Sequence, residues 1–283
     1  MKAYKGFNRN MTCRGFQFEE GKIYEHQGDV KLCESGFHAC EDPLDCLRYY
    51  DPCTSVYHEV EIDGVSDERK EDTKIVGKKI RIGARMSIKS IVKASIEFVF
   101  ASCKNAENRD YASGDWSRQA ASGNESRQAA SGDWSSQAAS GYGSRQAASG
   151  YCSSQAASGY GSRQAASGYC SSQAASGNES SQAASGDCSS QAASGNESRQ
   201  AASGDWSRQA ASGNESRQAA SGDWSRQAAS GNESSQETTG KNCVMMSAGN
   251  GGRAKGKIGS WIVLTEWKKC EPNVVARRID GKE

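Results

Sequence analysis

The 283-residue sequence has almost no net charge, with 35 Lys and Arg against 34 Asp and Glu. No long-range field therefore draws nucleic acid or an anionic membrane, and neither is expected as a partner. No apolar run approaches the roughly 18 residues of a membrane span, and Met1-Lys2-Ala3-Tyr4 leads into no apolar signal segment. Cys-x-x-Cys is absent too, which removes the common zinc and redox pairings. The 11 cysteines, without a secretion signal, predict free thiols and a cytoplasmic location. An odd number agrees, because a complete disulfide framework needs an even one. Cys13, Cys33, Cys40, Cys46 and Cys53 share a stretch with His26, His38 and His58, but their spacings match no metal motif, so buried free thiols are expected and no metal or cofactor is.

What the chain does have is period. Fourteen nine-residue units run from Gly114 to Thr239, the first reading Gly114-Asp115-Trp116-Ser117-Arg118-Gln119-Ala120-Ala121-Ser122. The third position shows that the true period is eighteen. Odd units place Trp116, Trp134, Cys152, Cys170, Cys188, Trp206 and Trp224 there; even units place Glu125, Gly143, Gly161, Glu179, Glu197, Glu215 and Glu233. The two sets never mix. A disordered linker has no reason to keep this segregation, and Gly at every ninth place opposes helix by about 1 kcal/mol each. Nine residues suit a strand of about five and a turn. The fold class predicted is mainly β: a β-solenoid of about seven 18-residue coils, roughly 34 Å long at about 4.8 Å per coil. A small α+β domain over 1–104 precedes it, with the solenoid over 105–248 and a capping strand with a basic tail (Lys268, Lys269, Arg277, Arg278) over 249–283. Asn105–Ser113 and Gly240–Ala248 read as imperfect terminal units.

Alternation along each strand predicts Ser117, Gln119 and Ala121 inward, with Ala120, Ser122 and position five (Arg118, Arg127, Arg145, Ser136, Ser154) facing water. Glutamine columns are expected to bond amide to amide along the axis. The leading glycine of each unit suits a turn of positive φ. A calcium β-roll is not supported, since each unit has essentially one glycine and Asp appears only in some odd units. Ser87–Phe100 is an apolar stretch placed to cover the first coil, and Gly259–Trp267 reads as a strand. In the leading domain Tyr57–Ile62 and Lys79–Ile82 read as strands and Asp42–Tyr50 as a short helix with Pro43 in its first turn.

Units such as Gly141-Tyr142-Gly143-Ser144-Arg145-Gln146-Ala147 resemble the repeats of bacterial ice nucleation proteins. The resemblance implies a β-solenoid with inward Ser and Gln, a tyrosine ladder and, as one function, an ice-ordering surface. The unit here is nine residues rather than eight, and Arg-Gln-Ala or Ser-Gln-Ala replaces the outward Thr-x-Thr row. The segments Tyr4-Lys5-Gly6-Phe7, Cys33-Glu34-Ser35-Gly36-Phe37-His38-Ala39-Cys40 and Pro43-Leu44-Asp45-Cys46-Leu47-Arg48-Tyr49-Tyr50 resemble the leading domain of uncharacterised bacterial and phage-borne repeat proteins. More distantly, Gly36-Phe37-His38 with the following helix looks like part of an ADP-ribosyltransferase core, although no catalytic acid can be placed on a later strand.

Stacking converts repeat positions into columns. Trp116, Trp134, Trp206 and Trp224, with Tyr142, Tyr151, Tyr160 and Tyr169, are the candidate binding residues, because Trp and Tyr bring large contact area at low entropic cost. The function expected is a non-catalytic scaffold presenting Trp, Tyr, Asp and Arg ladders to a protein partner, such as a phage or bacterial host-interaction factor; no catalytic residue is assigned. The alternatives are an ADP-ribosyltransferase-like head on a spacer and an ice-ordering rod. The symmetric column order would also let two copies meet antiparallel as a homodimer through the Tyr-rich centre.

Overall fold

Each nonapeptide makes a turn over its first residues and a four-residue strand over its fifth to eighth, as in Arg118–Ala121 and Arg127–Ala130. The computed structural model describes residues 1–68, 72–104, 110–268 and 271–280. Every repeat strand pairs in parallel with the one eighteen residues on, Gln137 with Gln155 and Gln146 with Gln164. Odd units thereby build one sheet and even units another, and imperfect strands extend them to ten and nine strands respectively. The solenoid has about nine turns: seven from the fourteen units, the rest from Asp110–Ala112 at one end and Val244–Ser247, Arg253–Lys255 and Trp261–Lys268 at the other. Glu271–Arg278 folds back antiparallel as the last strand of the odd sheet. Residues 105–109 of the predicted first imperfect unit, and Lys269 of the basic tail, lie outside the described residues.

The interior is polar, and hydrogen bonds organise it. From Gln137 onward each glutamine amide donates to the glutamine one coil earlier, Gln155 Nε2 to Gln137 Oε1 at 3.0 Å and Gln164 Nε2 to Gln146 Oε1 at 2.9 Å. The same nitrogen also donates across the coil to a backbone carbonyl of the other sheet, Gln155 to Ala165 O and Gln164 to Ala174 O, both at 3.1 Å. One side chain thus ties successive coils and braces opposite sheets. The ladder is directional, and its ends show it: Gln128 Nε2 at the start, and Gln227 Oε1 and Gln236 Oε1 at the finish, lack a hydrogen-bond partner. Beyond them the core turns apolar, with Met245 and Ile262 continuing the Gln227 column and Cys243 buried beside them. Buried serines at position four donate to the carbonyl of their own unit's leading glycine, Ser162 Oγ to Gly159 O at 2.7 Å.

The leading glycines do not adopt positive φ, contrary to the sequence reading. That conformation belongs to position three, where Trp116 (φ 60°), Glu125 (55°), Cys152 (52°) and Gly161 (66°) are typical. Glycine at position one answers to proximity instead: a Cβ on Gly186 would sit on the carbonyl carbon and oxygen of Gly168, one coil below. The left-handed turn is held because position three donates its N–H to the next coil, Cys152 to Tyr169 O at 2.8 Å. A non-glycine residue there costs about 1–2 kcal/mol. Cys152→Gly is expected to stabilise the chain by up to about 1 kcal/mol, or roughly 2–4 °C in Tm, after the added unfolded-state entropy is offset. Cys152→Val should lower Tm; thermal unfolding of the pair checks the sign.

The leading domain closes four antiparallel strands, Lys2–Asn8, Phe37–Cys40, Ser55–Val65 and Lys74–Met86, into a small barrel, with Ile23–Glu25 added at its side. Its core is Ala3, Phe7, Phe18, Val60, Ile62, Ile75, Ile80 and Ile82. The strands predicted at Tyr57–Ile62 and Lys79–Ile82 lie within the two longest of these. Helix α1 (Pro43–Tyr49) starts at Asp42, whose carboxylate accepts from Leu44 N at 3.0 Å. Helix α2 (Ile88–Lys104) is the segment read as a cover for the first coil. It packs on that coil, through Ala129, and continues along the rod: Ile91, Val92, Ile96 and Val99 form one core with Ala129, Ala147, Ala165 and Ala183 from four successive even strands. The domain is therefore laid lengthwise on the even sheet, and Phe100 of α2 reaches Tyr111 in the sheet's first strand.

Candidate functional site

The two sheets carry nearly the same sequence and have opposite fates. On the odd sheet Ser136, Ala138 and Ser140 are exposed while Gln137 and Ala139 are buried, as alternation predicts. On the even sheet Arg145, Gln146, Ala147 and Ala148 are all buried. The reading that position five faces water holds for odd units and fails for even ones, where Arg145, Arg163, Ser181 and Arg199 lie beneath the leading domain.

Guanidinium groups under a protein layer require counter-charge. It comes from α1 and its flanks. Asp45 pairs with Arg163 Nε and, at 3.3 Å, with Arg145 Nη2; Asp42 meets Arg145 Nε at 3.3 Å. Both carboxylates are fully buried. Thr73 donates its N–H and hydroxyl to Asp45 Oδ2 at 2.8 and 2.6 Å, and Ser95 Oγ donates to Asp42 Oδ1 at 2.7 Å. Burial by itself would raise the Asp45 carboxyl; Arg163, Arg145 and Thr73 overcome it and hold the group down at about 2. Asp42 moves the other way, raised by burial and by the neighbouring Asp45 charge. Further along the rod Arg48 pairs with Glu179 at 2.8 Å, Asp51 with Arg217 at 3.0 Å, and Arg9 with Glu237. These residues were not singled out from the sequence. Their signal is the arginine column of the even units facing two acids three residues apart on a helix.

With the even sheet occupied, the odd sheet and its turns are the open surface. Ala120, Ala138, Ala156, Ala174, Ala192, Ala210 and Ala228 line a shallow apolar trough along it, bordered by Ser122, Ser140 and their successors. The candidate aromatic residues rise from the turns. Trp116 and Trp134 stack at 5.3 Å with planes 6° apart, Trp206 and Trp224 at 5.4 Å and 7°. Tyr151 and Tyr169 stack at 5.4 Å, and Trp134 reaches Tyr151 at 6.0 Å, so four rings form one continuous edge. Cys188 Sγ touches Tyr169 Oη at 3.5 Å and carries that edge toward Trp206. Tyr142 and Tyr160 stack at 5.4 Å on the even-unit turns, apart from the tryptophans. Trp116 is 69 % exposed and the other three tryptophans close to half.

The aspartate and asparagine columns have a different task. Asp115 Oδ1 accepts from Asp133 N at 2.9 Å, Asp133 Oδ1 from Tyr151 N at 2.8 Å, and Asn196 Oδ1 from Asn214 N at 2.9 Å. One oxygen of each staples its turn to the next coil. Tyrosine cannot do this, and where tyrosine follows tyrosine a ring stack takes over.

A second concavity, about 620 Å³, lies in the leading domain between its barrel and α1. His38 lines it, with Nε2 accepting from Cys33 N at 2.8 Å. Burial, then the charges of Lys74, Lys5 and Arg14, lower this imidazole to about 4, so it is neutral at pH 7. Tyr50 donates its hydroxyl to Cys13 Sγ at 2.7 Å, and the Tyr49 hydroxyl is held by Asp72. Cys53, outside this cleft, donates to Gln218 O at 3.3 Å across the domain interface. Among the described residues no helix is long and apolar enough to cross a membrane.

A family model described as a domain of unknown function, DUF7666, matches residues 1–94, the barrel, α1 and the start of α2. No curated protein and no solved structure matches the chain.

Proposed function

We propose that the protein is a non-catalytic interaction scaffold whose odd sheet and tryptophan edge receive a protein partner. The observation that carries this reading is the unequal treatment of two near-identical sheets: the leading domain covers one and leaves the other, with its aromatic edge, open. A parallel hydrogen-bonded stack presents these rings at fixed spacing, so little order has to be gained on binding. Stacked indoles beside a trough of alanine and serine offer a flat apolar contact with rigid anchors, which suits a protein surface. The central tyrosines Tyr151 and Tyr169 extend the edge between the two tryptophan pairs.

Trp206→Ser combined with Trp224→Ser is expected to weaken partner capture by at least about 2 kcal/mol, some thirtyfold, while far-UV circular dichroism stays unchanged. The full chain and the variant, immobilised side by side, would be exposed to extract of the native host and the bound proteins compared by mass. Identical profiles from a folded variant would overturn the reading.

A further inference from the structure

We propose that the cleft of the leading domain binds a phosphorylated ring compound, an aryl phosphate or a mononucleotide, with the phosphate on Lys5, Arg14 and Lys74 and the ring against the aromatic wall. The site is lined by residues of the leading domain alone, and the proposal does not depend on the scaffold reading.

Charge is the first argument. Lys5, Arg14 and Lys74 line the cleft, with Glu34 the one carboxylate among the described residues lining it, and Glu34 already pairs with Lys31 at 2.8 Å. None of the three cations forms an ion pair among the described residues. Lys5 is the most telling, being only 6 % exposed. Its Nζ donates to His38 O at 2.8 Å and otherwise lies 5.5 and 5.8 Å from the Phe7 and Phe18 rings. An ammonium buried on one carbonyl and two ring faces is a cation without an anion, which is costly unless a ligand supplies one. Lys74 Nζ sits 4.4 Å above the Tyr49 ring, with Cys33 Sγ at 3.4 Å as its acceptor. Arg14 stands in the left-handed Arg14-Gly15 turn (φ 49° and 80°) of the hairpin Thr12–Cys13 to Phe16–Gln17, which puts a guanidinium among the lining residues.

Shape is the second argument. At about 620 Å³ the cleft is far larger than an inorganic anion and falls within the range for small organic ligands. Its remaining lining includes Phe16, Phe18, Phe37, Tyr49 and Tyr50. Phe16 and Phe18 meet edge to face at 4.7 Å, and Phe16 is half exposed, leaving an aromatic surface open to a ring.

The test uses the full chain and isothermal titration with phenyl phosphate, AMP, adenosine and inorganic phosphate. Phenyl phosphate or AMP is expected to bind with Kd below about 1 mM, at least about tenfold tighter than adenosine or inorganic phosphate. Which of the two binds better identifies the source of the ring. Arg14→Gln and Lys74→Met, both at partly or fully exposed positions, should each weaken that binding about tenfold without lowering Tm. Saturation by neither ring phosphate at about 5 mM overturns the proposal. So does adenosine binding as tightly as AMP, or binding unchanged in both variants.

Discussion

Gly186→Ala is expected to destabilise the chain by about 3 kcal/mol or more, roughly 6–12 °C in Tm, through a single added methyl group. The methyl has nowhere to go. Its neighbours are the carbonyl of Gly168 and, at 3.0 Å, Tyr169 N, both backbone atoms of the coil below. Relief would require two coils to separate, and each separation breaks the Cys170 N–H bond to Asp187 O and strains the glutamine bond from Gln191 to Gln173. Gly114→Ala is the matched control. Gly114 holds the same repeat position, but nothing lies within 4 Å of its would-be Cβ because no coil precedes it there. The change should fall within about 0.5 kcal/mol of wild type. Thermal unfolding of both proteins measures the difference; equal losses would show that glycine is kept for flexibility and not for proximity.

Asp45→Ala is expected to cost about 3–5 kcal/mol, because it strands Arg163 beneath the leading domain and leaves Arg145 with Asp42 alone. The readout is Tm together with protease cleavage, which should appear first at the domain interface. Replacing the set with apolar residues, Asp45→Leu with Arg163→Met, should recover much of the loss, since the cost lies in the unpaired charge. The pH dependence has a defined sign. The Asp45 carboxyl is held at about 2, below its unfolded value of about 3.9. Its stabilisation is therefore complete above about pH 4 and disappears as pH falls toward 2. Asp45→Asn should flatten the acid limb of the stability curve in that window, and an unchanged limb would remove Asp45 from the interface.

The rod was legible in the sequence because period is a global signal: the segregation of Trp116 from Glu125 over fourteen units left one winding that keeps like with like. Inward Ser117, Gln119 and Ala121 followed from alternation, and the Trp116–Trp134 stack from the coil length. Gly186 shows where that reasoning stops. Glycine serves both positive φ and close approach, and one sequence cannot tell which until the neighbouring coil is in place. The fate of Arg145 and Arg163 was hidden for a similar reason. Local alternation reports which way a side chain points and says nothing of a layer arriving from a hundred residues upstream. The cleft was invisible because Lys5, Arg14 and Lys74 are scattered over seventy positions and meet only through barrel closure.

The lengthwise seating of the leading domain makes it a ruler for the array. Its grips fall at set heights: Asp42 and Asp45 on Arg145 and Arg163, Arg48 on Glu179, Asp51 on Arg217, Arg9 on Glu237. Gaining or losing eighteen residues between Arg163 and Arg217 would leave every inner hydrogen bond intact, yet it would shift one set of grips by about 4.8 Å against the other. Duplication beyond Glu237 carries no such penalty. Copy number is thus pinned across the clasped stretch and free to drift only past it, toward the end that carries Trp261.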